Sequence, residues 1–322
     1  MTDESAPPTP RLHGVLVTFR RPDELEKTLG RLADQSKHLD RLIVVDNDSD
    51  RSVAVLVERF EGCVASKISY LDSGENIGPA GGYALGMREL LESCEDDDWV
   101  VLLDDDDPPY SDNTIERASL FARQMHIADP AVGGVGVSGG RFDARSGRVL
   151  RVGDDELGGP IVVDHVTGGG FPAYRAGAVR EVGLPCSELF FGFEELEYGL
   201  RLTDAGRALY ADGDAWLARR AAKRDTGELP PEDVSVRRAQ RSSIRLAEPS
   251  WRRYYSLRNL IYILRRRGHW WTAVKISLLR GILKPLANIP VDPRRSWQYL
   301  SLGFRAARDG WLGRLGRTVA PG

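Results

Sequence analysis

The chain of 322 residues predicts an α/β protein, a doubly wound and mostly parallel sheet followed by a helical C-terminal extension. Three observations predict it. Short apolar runs recur at residues 13–19, 42–45, 68–71 and 99–103, each of strand length and each closed by polar or breaking residues. Stretches with helical spacing lie between them, and strands alternating with helices build a parallel sheet covered on both faces. Beyond residue 249 the apolar residues Ile276, Leu279, Ile282, Leu283 and Leu286 follow helical spacing instead.

The elements can be justified in order. Residues 13–19 are apolar enough for a buried first strand, and Arg20, Arg21 and Pro22 break it. Pro22 suits the first turn of a helix, and Leu25, Leu29 and Leu32 then recur at helical spacing. The second strand, 42–45, ends in Asp46, Asn47, Asp48 and Ser49, and the third covers 68–71. Residues 76–82 form a Gly-rich turn opening a helix through Leu91, with Leu85 and Leu90 inward. The fourth strand, 99–103, runs straight into Asp104, Asp105, Asp106 and Asp107. Pro108 and Pro109 exclude a ladder or helix interior there, so the acids sit at the strand's C-terminal end. No internal repeat is visible.

Bulk properties exclude several classes. The chain is 42% hydrophobic and 28% charged with net charge -3, a globular composition with no whole-protein case for nucleic acid. Cys63, Cys94 and Cys186 form no CxxC pair, which suggests a reducing compartment and no structural zinc. Residues 1–11 read as a loose polar tail without a signal-peptide core. No uncharged apolar stretch reaches the ~18–20 residues that span a bilayer. The expected place is the cytoplasm or its membrane face. The expected divisions are a tail at 1–11, a catalytic domain at 12–217, a charged connection or lid at 218–249, and a basic helical region at 250–322.

Polar residues at the C-terminal ends of parallel strands converge on one crevice, where open α/β sheets bind ligands. The candidates there are Thr18, Phe19 and Arg20, then Asp46 and Asn47, then the Asp104 run. Clustered carboxylates raise one another's pKa unless a cation neutralises them, and hard oxygen ligands suit Mg²⁺ or Mn²⁺ shared with a substrate phosphate. An acid run alone is more often a solvated turn, and the strand before it argues otherwise. Asp46 either accepts from a bound base or ribose, or caps a turn. The glycines at 78–82 match neither GxGxxG nor GxxxxGK[ST], which disfavours a classical dinucleotide fold and a P-loop. Gly168, Gly169 and Gly170 permit close backbone approach to a ligand. Glu194, Glu195 and Glu197 open a helix whose inner face carries Phe193, Leu196 and Leu200. Acids there either complement the helix dipole or supply a general base. Glu197 stands at the right spacing to pair with Arg201.

Taken in order, Val17 to Arg20, Val44 to Ser49, Asn76 to Gly78, Leu102 to Asp106 and Phe193 to Arg201 resemble the family 2 glycosyltransferases of GT-A fold, most of all bacterial galactofuranosyl- and rhamnosyltransferase-like members. The resemblance covers residues 14–216. It implies inverting transfer of a sugar from a nucleotide sugar, commonly a UDP sugar, with Mg²⁺ or Mn²⁺. It implies donor contacts by Thr18, Phe19, Arg20, Asp46, Asn76, Gly78, Asp104, Asp105 and Gly169. Asp104, Asp105 and Asp106 resemble the DxD motif, with Asp106 on the metal and Asp104 on ribose, sugar or metal waters. A register using Asp105 and Asp107 stays open. Glu195 falls at the catalytic base, a methylene longer than the family's Asp. Some relatives add a metal-binding His downstream; this chain has Asp214, Ala215, Trp216, Leu217 and Ala218 there, leaving water or Asp214 as third ligand. The implied acceptor is a hydroxyl on a glycan, lipid-linked glycan, cell-surface polysaccharide or small molecule.

Residues 249–291 contain no acid, while nine Arg and Lys accumulate among Trp251, Tyr254, Tyr255, Trp270 and Trp271. Basic amphipathic helices with Trp suit an anionic membrane surface, and equally they suit packing on the catalytic domain. Two other functions compete. A metal-dependent nucleotidyltransferase would need a basic Gly-rich phosphate loop after the first strand, which Arg20, Arg21 and Pro22 make poorly. A non-catalytic module would use the basic segment to hold lipid or nucleic acid.

Overall fold

A computed structural model describes residues 10–35, 38–227, 229 and 249–320. Four parallel strands form one half of the main sheet: β1 (Leu12–Thr18), β2 (Arg41–Asp46), β3 (Lys67–Asp72) and β4 (Trp99–Asp104). The other half holds β5 (Val132–Gly136), β8 (Pro160–Val163), β10 (Ala173–Arg175) and β11 (Ala208–Asp212). Their order across the sheet is β3-β2-β1-β4-β10-β5-β11-β8. β10 and β8 run antiparallel to their neighbours, so the sheet is mostly parallel. A small sheet of β6 (Gly139–Asp143), β7 (Arg148–Leu150) and β9 (His165–Val166) stands beside it.

The inner parallel strands β1, β2 and β4 are buried on both faces, and their side chains alternate between two cores. Leu16, Leu42, Val44, Val101 and Leu103 face one core, and Val15, Val17, Ile43, Val45, Val100 and Leu102 face the other. On the first face lie α1 (Pro22–Ala33), α2 (Arg51–Arg59) and α4 (Thr114–Ala128). Leu25, Leu29 and Leu32 of α1 are buried, as their spacing predicts. On the second face lie α3 (Gly78–Leu91), α5 (Ala176–Val182), α6 (Glu194–Asp204) and α7 (Gly213–Asp225). The glycines of 78–82 are the first turns of α3 rather than a turn before it. Gly82 and Gly86 let α3 lie against β1, since a Cβ at Gly82 would stand 2.7 Å from Val17.

The C-terminal helices are α8 (Ser250–Arg266), α9 (Trp270–Leu278), α10 (Lys284–Ala287) and α11 (Pro293–Leu312), with one π turn at Leu279–Leu283 joining α9 to α10. α8 is a core helix. Tyr254, Tyr255, Leu260, Ile261 and Leu264 pack around Phe190, and Arg258 is fully buried. That guanidinium donates to the carbonyls of Leu189 and Gly316 and stacks on Tyr255, so its charge is solvated by protein. For α8, packing against Phe190 and against the other C-terminal helices therefore accounts for Tyr254 and Tyr255.

Two expected boundaries shift. Arg11 is not a loose residue, because its backbone N–H and its guanidinium both bind Asp98, at 2.8 and 2.7 Å. Helix α7 continues through the boundary expected at residue 217, since Asp212 caps it by accepting from Ala215 N at 3.0 Å and nothing breaks it before Asp225. Most of the expected connection at 218–249, like residues 1–9 of the tail, lies outside the described residues.

Candidate functional site

The strand register aligns the acids. Thr18 stands opposite Asp46, Asp46 opposite Asp72, and Val17 opposite Asp104, all at the C-terminal edge of the sheet. A cleft of about 620 Å³ opens above this edge, between the start of α3 and the start of α6. Thr18, Phe19, Asn76, Gly78, Asp104, Asp105, Asp106 and Glu195 all line it.

The acid run divides by role. Asp105 is buried and closes β1 onto β4, accepting from Thr18 Oγ1 at 2.8 Å and from Phe19 N at 3.3 Å. Asp104 accepts from the Tyr83 hydroxyl through Oδ1, which leaves Oδ2 facing the cleft. Asp106 is exposed and ion-paired with Arg21. Asp107 lies apart, paired with Arg219 at 3.0 Å. Burial and the nearby charges of Glu195, Asp106 and Asp105 push the Asp104 carboxyl up to about 6, against a counteracting hydrogen bond from Tyr83.

Helix α6 is aimed by the segment before it. Phe190, Gly192 and Phe193 have φ of 63, 81 and 68°, in the left-handed region that non-glycine residues rarely occupy. The extension holds this segment in place: Asn259 Nδ2 lies 3.0, 3.0 and 2.7 Å from the carbonyl oxygens of Leu189, Phe191 and Gly192. Gly78 has φ 72°, and any Cβ there would collide with the Phe190 carbonyl. The result places Glu194 and Glu195 at the cleft floor, partly buried. Glu195 Oε1 accepts from Gly168 N at 3.0 Å. A Cβ on Gly168 would stand 2.9 Å from Glu195 Oε1 and 3.2 Å from Asp104 Oδ2, so the two carboxylates face one spot that only glycine leaves open. Burial raises the pKa of Glu195, and it raises Glu194 well above the usual carboxylate range, with the Glu195 charge adding to it. Glu197 pairs with Arg201 at 2.8 Å, the structural use its spacing predicts.

Three expected donor contacts lie outside the cleft lining. The carboxylate of Asp46 is buried and accepts from Asp48 N at 2.9 Å, Asp50 N at 2.7 Å and the Tyr70 hydroxyl at 3.1 Å, the turn-capping alternative. Arg20 points outward onto Asp48 at 2.9 Å. Gly169 lines a second cavity on the far side of its turn, where its carbonyl accepts from Arg219. Asp214 bonds Gly159 N at 3.2 Å and lines neither cavity, so the structure does not bring it to the other acids as a third ligand. Asn47, named with Asp46 at its strand end, lines the cleft where Asp46 does not, and sequence reasoning missed Arg21, which carried only the sign of a strand breaker. It also missed Tyr83, Trp251 and Arg252, whose approach to the cleft is decided by packing.

The donor set fits a divalent cation. Asp104 and Asp106 are carboxylates lining one cleft, the hard oxygen donors that suit such an ion.

Comparison with known proteins agrees with this geometry. Residues 15–178 match the model of glycosyl transferase family 2. The chain is 34% identical over 207 residues to galactofuranosyltransferase GlfT1 of Mycobacterium tuberculosis, spanning 62% of this chain and 66% of that protein. It is 30% identical over 203 residues to GlfT1 of Mycolicibacterium smegmatis, spanning 60% of this chain and 65% of that one. The match thus falls just short of two thirds of these relatives' length. Among solved structures, a mannosyltransferase from Pyrobaculum calidifontis, in complex with GDP-Man and Mn²⁺, aligns over 96% of this chain and 89% of its own with a TM-score of 0.52 at 15% identity, a likeness of fold alone. The sheet order, the acids at its C-terminal edge and the family match lead to one conclusion: the chain has the GT-A fold and belongs to glycosyl transferase family 2, with galactofuranosyltransferases among its relatives.

Proposed function

We propose that the protein transfers a sugar from a nucleotide sugar, UDP-linked, to an acceptor hydroxyl with inversion at the anomeric carbon. The observation that carries this reading is the pair Asp104 Oδ2 and Glu195 Oε1 facing one spot beside Gly168. Thr18, Phe19, Asn47, Asn76 and Gly78 line the rest of the cleft and hold the nucleotide. Asn47 Oδ1, buried with no partner among the described residues, is available to a base N–H. Asp104 and Asp106 hold a divalent ion, Mg²⁺ or Mn²⁺, which when bound offsets charge on the leaving diphosphate. Asp105, engaged by Thr18, and Asp107, engaged by Arg219, are the weaker register. Glu195 accepts the proton of the acceptor hydroxyl as it attacks opposite the diphosphate. Its raised pKa suits a base that must keep the proton until release. UDP release from a panel of UDP sugars, with and without Mn²⁺ and acceptor, tests the reading. Release that never depends on acceptor, or full activity in excess chelator, would sink it.

The acceptor is a glycan, lipid-linked or otherwise, or a small molecule, and the extension docks the enzyme on an anionic membrane surface. Trp271, Val274 and Leu278 of α9, Leu283 of the π turn and Leu286 of α10 are all exposed, beside Lys275 and Arg280. No helix among the described residues is long and apolar enough to cross a membrane. Co-sedimentation with anionic vesicles, weakening as salt rises, checks this; absence of binding at low salt leaves the helices as packing elements only.

A further inference from the structure

The extension gives the donor cleft a cation with no part in the chemistry of Asp104, Asp106 and Glu195. Among the described residues, five carboxylates and two arginines line that cleft. One arginine, Arg21, is engaged by Asp106. The other, Arg252, lies on the first turn of α8, is exposed, and has no ion pair or hydrogen bond among the described residues. Aromatic rings hold it instead. Its guanidinium lies over the Phe191 ring, 5.3 Å from the centroid, and over the Trp251 ring, at 5.2 Å. Those two rings pack edge to face with centroids 4.9 Å apart. Stacking uses the face of the guanidinium and leaves its in-plane N–H groups to donate. The turn that carries Arg252 is itself fixed. Ser250 Oγ accepts from Gln298 Nε2 at 3.0 Å, and Asn259, two turns further on, binds the Phe191 carbonyl at 3.0 Å.

A permanently charged, forked donor suits phosphate oxygens, and sugar transfer creates new charge on one such group. As the acceptor oxygen bonds to the anomeric carbon, the bond from that carbon to the β-phosphate oxygen breaks. Its electron pair stays on the phosphate oxygen, and the acceptor proton passes to Glu195. The diphosphate gains negative charge in a cleft lined by carboxylates, and a fixed cation there favours the transition state. Arginine keeps its proton at any working pH, so Arg252 supplies charge without entering the proton transfer. We propose that Arg252 is a catalytic residue that donates to the β-phosphate of the nucleotide sugar and of the departing diphosphate, so that the C-terminal extension completes the donor site. This rests on the transferase reading above, and adds to it a residue from outside the family-matched segment, 15–178.

UDP and UMP, which differ by the β-phosphate, test this directly. The full chain is titrated with each in Mg²⁺, as wild type, Arg252→Ala and Arg252→Lys, and kcat for sugar transfer is measured for all three. The expected result in Arg252→Ala is UDP affinity lower by at least about tenfold, the scale of one charge-assisted hydrogen bond, with UMP affinity nearly unchanged. In that variant kcat should fall by a similar factor, and Arg252→Lys, which keeps the charge but not the fork, should recover part of both losses. An unchanged UDP affinity or an unchanged kcat overturns the proposal. So does an equal loss for UDP and UMP, which is what a residue that merely packs Phe191 would give. Wild type that binds UDP but transfers no sugar sinks the transferase reading, and the paired titrations still decide whether Arg252 holds the β-phosphate. Wild type that binds neither nucleotide overturns both.

Discussion

Asp96, Asp97 and Asp98 precede β4, and Asp104 to Asp107 follow it, two acid runs of similar composition at opposite ends of one strand. At the N-terminal end every acid is matched by a cation of the scaffold. Asp96 pairs with Arg180, Asp97 with Arg175 at 3.5 Å, and buried Asp98 with Arg11 at 2.7 Å. Burial acts to raise the Asp98 pKa, but hydrogen bonds from the Arg11 side chain and backbone and from Glu95 N outweigh it, and the pKa ends lowered. His13, Cys94 and Asp98 bring potential ligand atoms within 4.8 Å of one another there, yet the Asp98 oxygens already accept from Arg11 and Glu95. At the C-terminal end the acids outnumber their local cations and share a cleft with Glu194 and Glu195, and the Asp104 pKa rises. The difference teaches that an acid run is read by which sheet edge it occupies and by what the rest of the fold brings to meet it. One end latches the sheet, and the other leaves its acids facing a cleft.

Six variants, in four tests, break or sharpen that contrast. The largest effect is expected for Asp106→Ala, which should reduce sugar transfer to background while circular dichroism and Tm stay near wild type, because Asp106 is exposed and supports no core. Unimpaired transfer would remove the C-terminal run from the chemistry.

Glu195→Gln should lower kcat by at least about a hundredfold, the low end for a general base, and leave UDP affinity by calorimetry largely intact. Glu194→Gln should do less. Near-wild-type transfer by Glu195→Gln would place the base elsewhere.

Asp98→Asn should act on stability instead, costing about 2 kcal/mol at pH 7, the scale of a charge-assisted hydrogen bond, with kcat unchanged. The sign of its pH dependence follows from the lowered pKa: the stabilisation is complete above the ordinary carboxylate range and is lost as pH falls through the lower folded-state value. Wild type and variant should therefore converge in Tm below that value. A constant Tm difference from pH 7 to pH 3 would show that the latch is not electrostatic.

The smallest effect is expected for Arg20→Ala. Its pair with Asp48 is exposed, so stability should change by less than about 0.5 kcal/mol and UDP affinity by little. Arg21→Ala, at the cleft, should change UDP affinity more. The opposite ranking would return Arg20 to the donor site.

Much of this was legible in the chain. Periodicity alone places the four parallel strands to within a residue or so, because β1, β2 and β4 are nearly continuous apolar runs buried on both faces and β3, at the sheet edge, is still a short apolar stretch. It also places Asp104 to Asp107 at a sheet edge and Glu194 to Glu197 at a helix start, since local signals of strand end and helix start suffice for both. What the chain could not show is the direction of side chains whose neighbours come from far away. Asp46 turns to its own loop, and Arg20 turns away while Arg21 turns in, with no local difference to tell them apart. Asn259 and Arg258 read as part of a basic helix, yet they are buried and hold the strained loop that aims Glu195, some 60 residues earlier. The cations of α7 read as a charged connection, yet they line a cavity beside the Gly168–Gly170 turn. Sequence by itself determined the elements and the sheet edge on which the acids gather, because those follow from local burial and backbone preference. Only the tertiary structure decided which charges meet, because that depends on contacts between segments that no local pattern encodes.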